Sequence, residues 1–186
     1  MMLTKSILDL IVSRGAKEKN ILLLLEALKK WLPIYLMDTD LRLAAFLSQC
    51  AYETGGFIFF KELGGQDYFK KYEGDTKIGK MLGNTQPGDG YKYKGRGPLQ
   101  ITGRSNYEHY GKLINENLID DPDLLLIPDI GVHCACEFWK QHDLNTLSDY
   151  GNIREITKRI NGGLNGLDER VNNYNVLIKA LHVNGK

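Results

Sequence analysis

Residues Asp38–Phe57 read DTDLRLAAFLSQCAYETGGF. Asp38, Thr39 and Asp40 offer N-cap chemistry, because a short side-chain oxygen can accept from the unpaired amides of a helix's first turn. Leu43, Ala44, Phe46, Leu47, Cys50 and Ala51 then recur at helical spacing. The helix must stop at Gly55-Gly56, since consecutive glycines are poor helix formers and good C-terminal punctuation. The stretch predicts a buried helix that carries a glutamate, Glu53, on its last turn. The negative end of the helix dipole and the packed apolar face both disfavour an ionised carboxylate there, which suits a group that donates a proton near neutral pH. The two glycines allow a sharp turn and a close approach of a bulky ligand to the backbone. The plain structural alternative is an exposed or salt-bridged Glu53.

Helical patterns extend on both sides. Leu3, Ile7, Leu10 and Ile11 form one apolar face; Ile21, Leu24, Leu25, Leu28 and Leu32 form a second, with Gly15 between them and Pro33 closing the second. Towards the C-terminus, Pro128 fits the first turn of a helix through Ile130, Cys134, Phe138 and Trp139. Asn152 caps a short helix through Ile153, Ile156 and Ile160, ended by Gly162-Gly163. Asp168 caps the last, with Val171, Tyr174, Leu177, Ile178 and Leu181 facing inward. Strand signals are short, confined to Phe57–Phe60 and Leu99–Thr102. The expected fold is mainly α, with two helical lobes around an irregular central cleft that includes a short β-hairpin. The expected organisation is one domain over residues 1–186, with the helices of 1–34 packed on it.

Composition sets bounds. A chain of 186 residues with 42% hydrophobic and 25% charged residues can bury a sizeable core. Its 24 Lys and Arg against 23 Asp and Glu give a net charge of +1, which advertises neither nucleic acid nor a membrane surface as partner. Asp9 interrupts the apolar stretch that a signal peptide would need, and the longest apolar run, Ile21 to Leu25, is far short of a membrane span. Cys50, Cys134 and Cys136 read as buried thiols of a protein made in a reducing cytoplasm. His133, Cys134 and Cys136 have ligand chemistry but lack the second half of a metal motif, so neither metal nor organic cofactor is expected.

The middle of the chain is different. Glycines are dense from Gly64 to Gly103, interleaved with Tyr91-Lys92-Tyr93-Lys94-Gly95-Arg96. A long structured loop in a compact domain is usually functional. Glu62 follows Glu53 by nine positions, and a pair of carboxylates across a cleft is the minimal equipment of glycoside hydrolysis. Glu73 and Asp75 lie close enough in sequence to compete for the second role. In Leu99-Gln100-Ile101-Thr102, alternation on an extended segment puts the amide and the hydroxyl on one face, able to hold a water or an acetamido group. Asn161, in Arg159-Ile160-Asn161-Gly162-Gly163, sits at a helix end, where capping is its simplest role.

Together these segments resemble glycoside hydrolase family 19, the lysozyme-like family of chitinases and phage or prophage endolysins. The resemblance is carried by YETGGF at Tyr52–Phe57 with Glu62 after it, YKGRGPLQITGRSNY at Tyr93–Tyr107, ACEFW at Ala135–Trp139, and INGG at Ile160–Gly163 with Arg170 beyond. It implies Glu53 as general acid, Glu62 as general base and Thr102 as the hydroxyl that helps hold the attacking water, with Gln100 beside it. Asn106, Asn161 and Arg170 match positions that line the sugar cleft or orient the carboxylates, and Tyr93 and Arg96 complete the expected substrate-binding set. It also implies inversion at the anomeric centre, with the carboxylates about 6.5–9.5 Å apart. Tyr52 departs from the family, which usually has His there, and the disulfides and extra loops of secreted plant chitinases are missing.

Chitin and peptidoglycan both carry β-1,4-linked N-acetylhexosamines. The loop GNTQPGDG at Gly83–Gly90 is similar to the prophage-type version. The resulting expectation is a monomeric endolysin that cuts between N-acetylmuramic acid and N-acetylglucosamine, made in the host bacterial cytoplasm and reaching the wall through a separate membrane pore. Lys92, Lys94, Arg96 and Arg104 are expected to attract the anionic wall. The alternatives are a chitinase and, from a different class, an inactive module that only binds amino-sugar polymers.

Overall fold

The computed structural model describes residues 3–184. Among these residues four short and seven longer α-helices follow one another: α1 (Lys5–Leu8), α2 (Glu18–Ile34), α3 (Asp40–Glu53), α4 (Gln66–Phe69), α5 (Lys77–Met81), α6 (Asp89–Lys92), α7 (Arg104–Ile114), α8 (Pro128–Gln141), α9 (Leu144–Asp149), α10 (Ile153–Asn161) and α11 (Leu167–Asn184). Two isolated antiparallel bridges, Lys61 with Arg96 and Arg96 with Ile101, are the β-structure among the described residues. No described helix is long and apolar enough to cross a membrane.

Two hydrophobic clusters account for the two lobes. The larger gathers the inward faces of α2, α3, α8 and α11, including Leu24, Leu28, Phe46, Leu47, Trp139, Leu177 and Leu181. The smaller joins Tyr93, Ile101, Tyr107, Tyr110, Ile114, Leu118, Leu125 and Cys134. Helix α8 is the shared wall: Val132, Ala135, Cys136 and Trp139 face the first cluster, Cys134 faces the second, and Phe138 packs on both. All three cysteines are free and buried.

Two of the expected caps form. Thr39 accepts from the Arg42 amide and opens α3; Asn152 accepts from the Glu155 amide and opens α10. Each such cap contributes about 1 kcal/mol. Gly162, with φ of 71°, closes α10. Asp168 is not a cap but a first-turn residue of α11, where its charge favours the positive helix end. In the N-terminal segment Leu10 is exposed and Leu8 buried in its place, because the chain tightens from α1 into a 3₁₀ turn at Asp9–Ile11 and rotates the face. Leu3, Ile7 and Ile11 of this segment and Ile21, Leu24, Leu25, Leu28 and Leu32 of α2 enter the larger cluster, whereas Leu22, Leu23 and Ile34 of α2 stay exposed. Residues 1, 2, 185 and 186 of the expected single domain lie outside the described residues.

The two expected strands are turns. After α3, Gly55, Gly56 and Phe57 all have positive φ (59°, 71° and 65°), so Phe57–Phe60 coils rather than extends, and no hairpin arm starts before Lys61. Phe57 is buried in this uncommon conformation, which costs of order 1–3 kcal/mol. Thr54 holds it there: its buried hydroxyl donates to the Cys50 carbonyl (2.7 Å) and accepts from the Phe57 amide (2.9 Å). Likewise Gln100 has φ of 52°, and residues 97–100 form a turn closed by paired bonds between Arg96 and Ile101 (3.1 and 2.9 Å).

Candidate active site

The turn after α3 places Glu53 at the junction of α3 and α11. Arg170, on the first turns of α11 and only 1% exposed, donates from Nη2 to Glu53 Oε1 at 2.5 Å. Its Nη1 donates to Gln49 Oε1 at 2.6 Å and its Nε to the Asn165 carbonyl at 3.2 Å. Gln49 continues to the Thr157 hydroxyl on α10 (3.4 Å). A buried polar chain thus runs from α10 through α3 and α11 to the glutamate. The apolar surroundings expected for Glu53 are corrected here, because a fully buried guanidinium is its neighbour. Arg170 has no surface to offer a sugar, so its position fits the orienting role rather than the lining one.

Gly56 fixes this turn from the other side. The Ser13 amide donates to the Gly56 carbonyl at 3.0 Å, and a Cβ on Gly56 would overlap the Ser13 side chain. The N-terminal segment therefore braces the turn that follows Glu53.

Glu62 is anchored differently. Its amide donates to the Gly95 carbonyl (2.8 Å), and the Gly95 amide donates back to Glu62 Oε2 (3.1 Å). The Tyr72 hydroxyl donates to Oε1 at 3.1 Å, and Lys71 Nζ lies 3.9 Å from the same oxygen. A carboxylate, which only accepts, satisfies all of these partners at once. Burial, and after it the Glu62 charge, pushes the Tyr72 hydroxyl up and keeps it a donor.

Gln100 and Thr102 converge on the same place, although not through a strand. A Cβ built on Gly95 would meet Gln100 Oε1, Glu62 Oε2 and Thr102 Oγ1 within 3.3 Å, so three polar side chains surround one glycine Cα. Gln100 Nε2 donates to the carbonyls of Gly97 (3.0 Å) and Phe59 (3.3 Å), which turns its oxygen towards Glu62. Thr102 donates to the Gln100 carbonyl (2.8 Å), and Asn106, exposed on α7, donates to the Thr102 carbonyl (2.7 Å). Asn161 is the exposed last residue of α10, and among the described residues no side-chain hydrogen bond ties it to the others.

Two expected sugar contacts are withdrawn into the scaffold. Tyr93 is fully buried in the smaller cluster, its hydroxyl on the Ile119 carbonyl (3.2 Å). Arg96, 4% exposed, binds Asp123 (2.7 Å), the carbonyls of Lys92 and Lys94, and the Tyr107 hydroxyl (2.9 Å). The expected basic patch shrinks with them. Arg104 makes a bidentate pair with Asp89 (2.6 and 2.7 Å), and Lys94 is buried over the Tyr91 ring, leaving Lys92 exposed.

The glycine-rich loop disposes of the rivals of Glu62 and is itself held by Asn84 and Asp89, which carry no individual sequence signal. Glu73 accepts from the amides of Gly88 and Gly90 (3.0 and 3.1 Å), which removes it as a rival to Glu62; Asp75 is simply exposed. Asp89 accepts from the Thr85 and Gln86 amides (2.8 and 2.9 Å) as well as Arg104, and Asn84 bridges the Tyr72 carbonyl and the Arg104 amide (both 2.7 Å). Gln49 and Tyr72 also escape notice, since nothing local separates them from ordinary helix and loop residues.

Comparison with known proteins follows this geometry. The family model of glycoside hydrolase family 19 described as "Chitinase class I" matches residues 37–154. The chain is 36% identical over 159 residues to a glycosyl hydrolase family 19 domain-containing protein of Haemophilus influenzae, covering 73% of this chain and 78% of that one. It is 34% identical over 149 residues to an endochitinase of Arabidopsis thaliana, covering 76% of this chain but 48% of the plant protein. The chain thus spans about half the length of that endochitinase. Its fold is similar to that of chitinase C from Streptomyces griseus (TM-score 0.70, 20% identity, 95% of this chain and 92% of that one). It is also similar to that of a class IV family 19 chitinase from Zea mays (0.68, 22%, 95% and 89%).

Proposed function

The chain belongs to glycoside hydrolase family 19, whose members are chitinase-like hydrolases, and from that premise we propose that it is an endolysin cutting the β-1,4 bond between N-acetylmuramic acid and N-acetylglucosamine. The observation that carries the reading is the contrast between its two carboxylates. Glu53 has one oxygen on Arg170, which leaves Oε2 to take up a proton when substrate binds and deliver it to the leaving glycosidic oxygen, returning Glu53 to the ionised partner of Arg170. Glu62 has both oxygens on donors and takes the proton of the attacking water. Gln100 Oε1 and Thr102 Oγ1, gathered beside Glu62 around Gly95, position that water. Attack from the face opposite the acid inverts the anomeric centre. General acid and base steps of this kind each contribute about 10²–10⁴-fold.

The choice of peptidoglycan rests on the Gly83–Gly90 loop and on the bacterial relative, of which the chain covers 78%. Chitin is the second reading, favoured by the similarity to plant endochitinases. The test is turbidity loss of purified peptidoglycan. Wild type clears the suspension, whereas Glu53→Gln and Glu62→Gln bind it without clearing. Equal clearing by wild type and Glu53→Gln overturns the assignment of the acid.

A further inference from the structure

Tyr52 precedes Glu53, and its ring faces the start of α11. The guanidinium carbon of Arg170 stands 4.1 Å from the ring centroid. Gly166, whose carbonyl accepts from the Arg170 amide at 3.0 Å, comes so close to the phenol that any Cβ there would overlap ring atoms Cζ and Cε2. Residues four apart lie on one helix face, so Tyr52 packs on both at once. The three side-chain hydrogen bonds of Arg170, to Glu53, Gln49 and Asn165, all leave from the edge of the guanidinium. Edge bonds hold a planar fork by its rim, whereas a ring lying over its central carbon limits its tilt.

From this arrangement we propose that Tyr52 is a positioning residue: its ring face backs the Arg170 guanidinium and limits its tilt, and Arg170 in turn aims Glu53. Gly166 is part of the device, because its missing side chain and its φ of 69° let the ring lie against α11. The property used is the aromatic face and not the hydroxyl. The ring face also attracts a cation electrostatically, which an aliphatic chain of similar volume does not. The kinetic consequence rests on the glycosidase reading above; the structural one does not.

The test compares full-length wild type, Tyr52→Phe and Tyr52→Leu, with Gly166→Ala as a second route that pushes the ring off α11. Two quantities are read: kcat and KM on soluble muropeptides and chito-oligosaccharides, and the Arg170 Nε–H signal by ¹⁵N NMR. Tyr52→Phe should stay within about threefold of wild-type kcat and keep the signal, since the face remains. Tyr52→Leu and Gly166→Ala should lose kcat by about 10- to 100-fold with KM nearly unchanged, and their Arg170 signal should broaden. Tyr52→Leu matching Tyr52→Phe in both readouts overturns the proposal. Wild type inert on both substrates, with the NMR contrast intact, upholds the positioning and sinks the glycosidase reading instead.

Discussion

Replacing Glu53 by Gln should injure stability as well as chemistry, and the size of the injury follows from Arg170. That guanidinium is 1% exposed, and Glu53 is its ion-pair partner at 2.5 Å. Removing one member of a buried pair costs about 3–5 kcal/mol, because the other charge is left uncompensated. The new amide can still accept a hydrogen bond, returning about 1 kcal/mol. The Glu53 side chain is 18% exposed, so solvent reaches the site and the lower end applies. A loss of about 2–3 kcal/mol is expected, or about 4–12 °C in Tm for a chain of this size. Arg170→Met also destabilises, since it strips Gln49 and the Asn165 carbonyl of their donor. The double variant should nevertheless be more stable than the sum of the two losses, with a coupling of about 1–3 kcal/mol. Urea unfolding of the four proteins at pH 7 measures it. Losses that add to within about 0.5 kcal/mol would refute the buried-pair reasoning.

Two further outcomes concern the glycine-rich loop. Burial pushes the Asp89 carboxyl up, but Arg104 and the Gln86 and Thr85 amides outweigh it and hold it below the usual range. A depressed carboxyl stabilises the fold above its unfolded value and loses that contribution as pH falls through the folded one, so wild type should weaken below about pH 4. Asp89→Ala should cost about 3 kcal/mol at pH 7 and speed amide exchange at Thr85 and Gln86; unchanged exchange would count against it. Lys94, 4% exposed, is pushed down to about 8 by burial and then by the Arg96 and Lys61 charges. Its unfolded form binds the proton more tightly, so its stability penalty is full below pH 8 and fades as pH rises towards about 10.5. The unfolding free energy of wild type relative to Lys94→Met should rise by about 2–3 kcal/mol between pH 7 and 10.5, and a flat difference would contradict the assignment.

What the sequence disclosed was mostly local or periodic. Helix α3, its Thr39 cap and the stop after Glu53 follow from neighbours within a few turns, and so does α10 from Asn152 to Gly162. Alternation on a strand puts Gln100 and Thr102 on one face, and the family resemblance adds Glu62; in the structure a left-handed Gln100 in a turn, rather than a strand, makes the juxtaposition. Positive φ at Phe57 and Gln100 is imposed by partners, Thr54 for one and the Arg96–Ile101 pairing for the other, and residue type alone does not announce it. The same holds for charge. Lys94, Arg96 and Arg104 look like a basic surface in one dimension, until Asp89, Asp123 and Tyr91 arrive to bury or pair them. Arg170 was found as a motif position, yet its partner Gln49 lies more than a hundred residues away and had no signal of its own.

The most direct measurement is incubation of the wild-type protein with purified peptidoglycan and with chitin oligomers in parallel, followed by mass spectrometry of the released ends. Muropeptides that end in reducing N-acetylmuramic acid, released by wild type but not by Glu53→Gln, are the expected result. Cleavage of chitin oligomers alone, or wall fragments that carry no new reducing sugar, would contradict it.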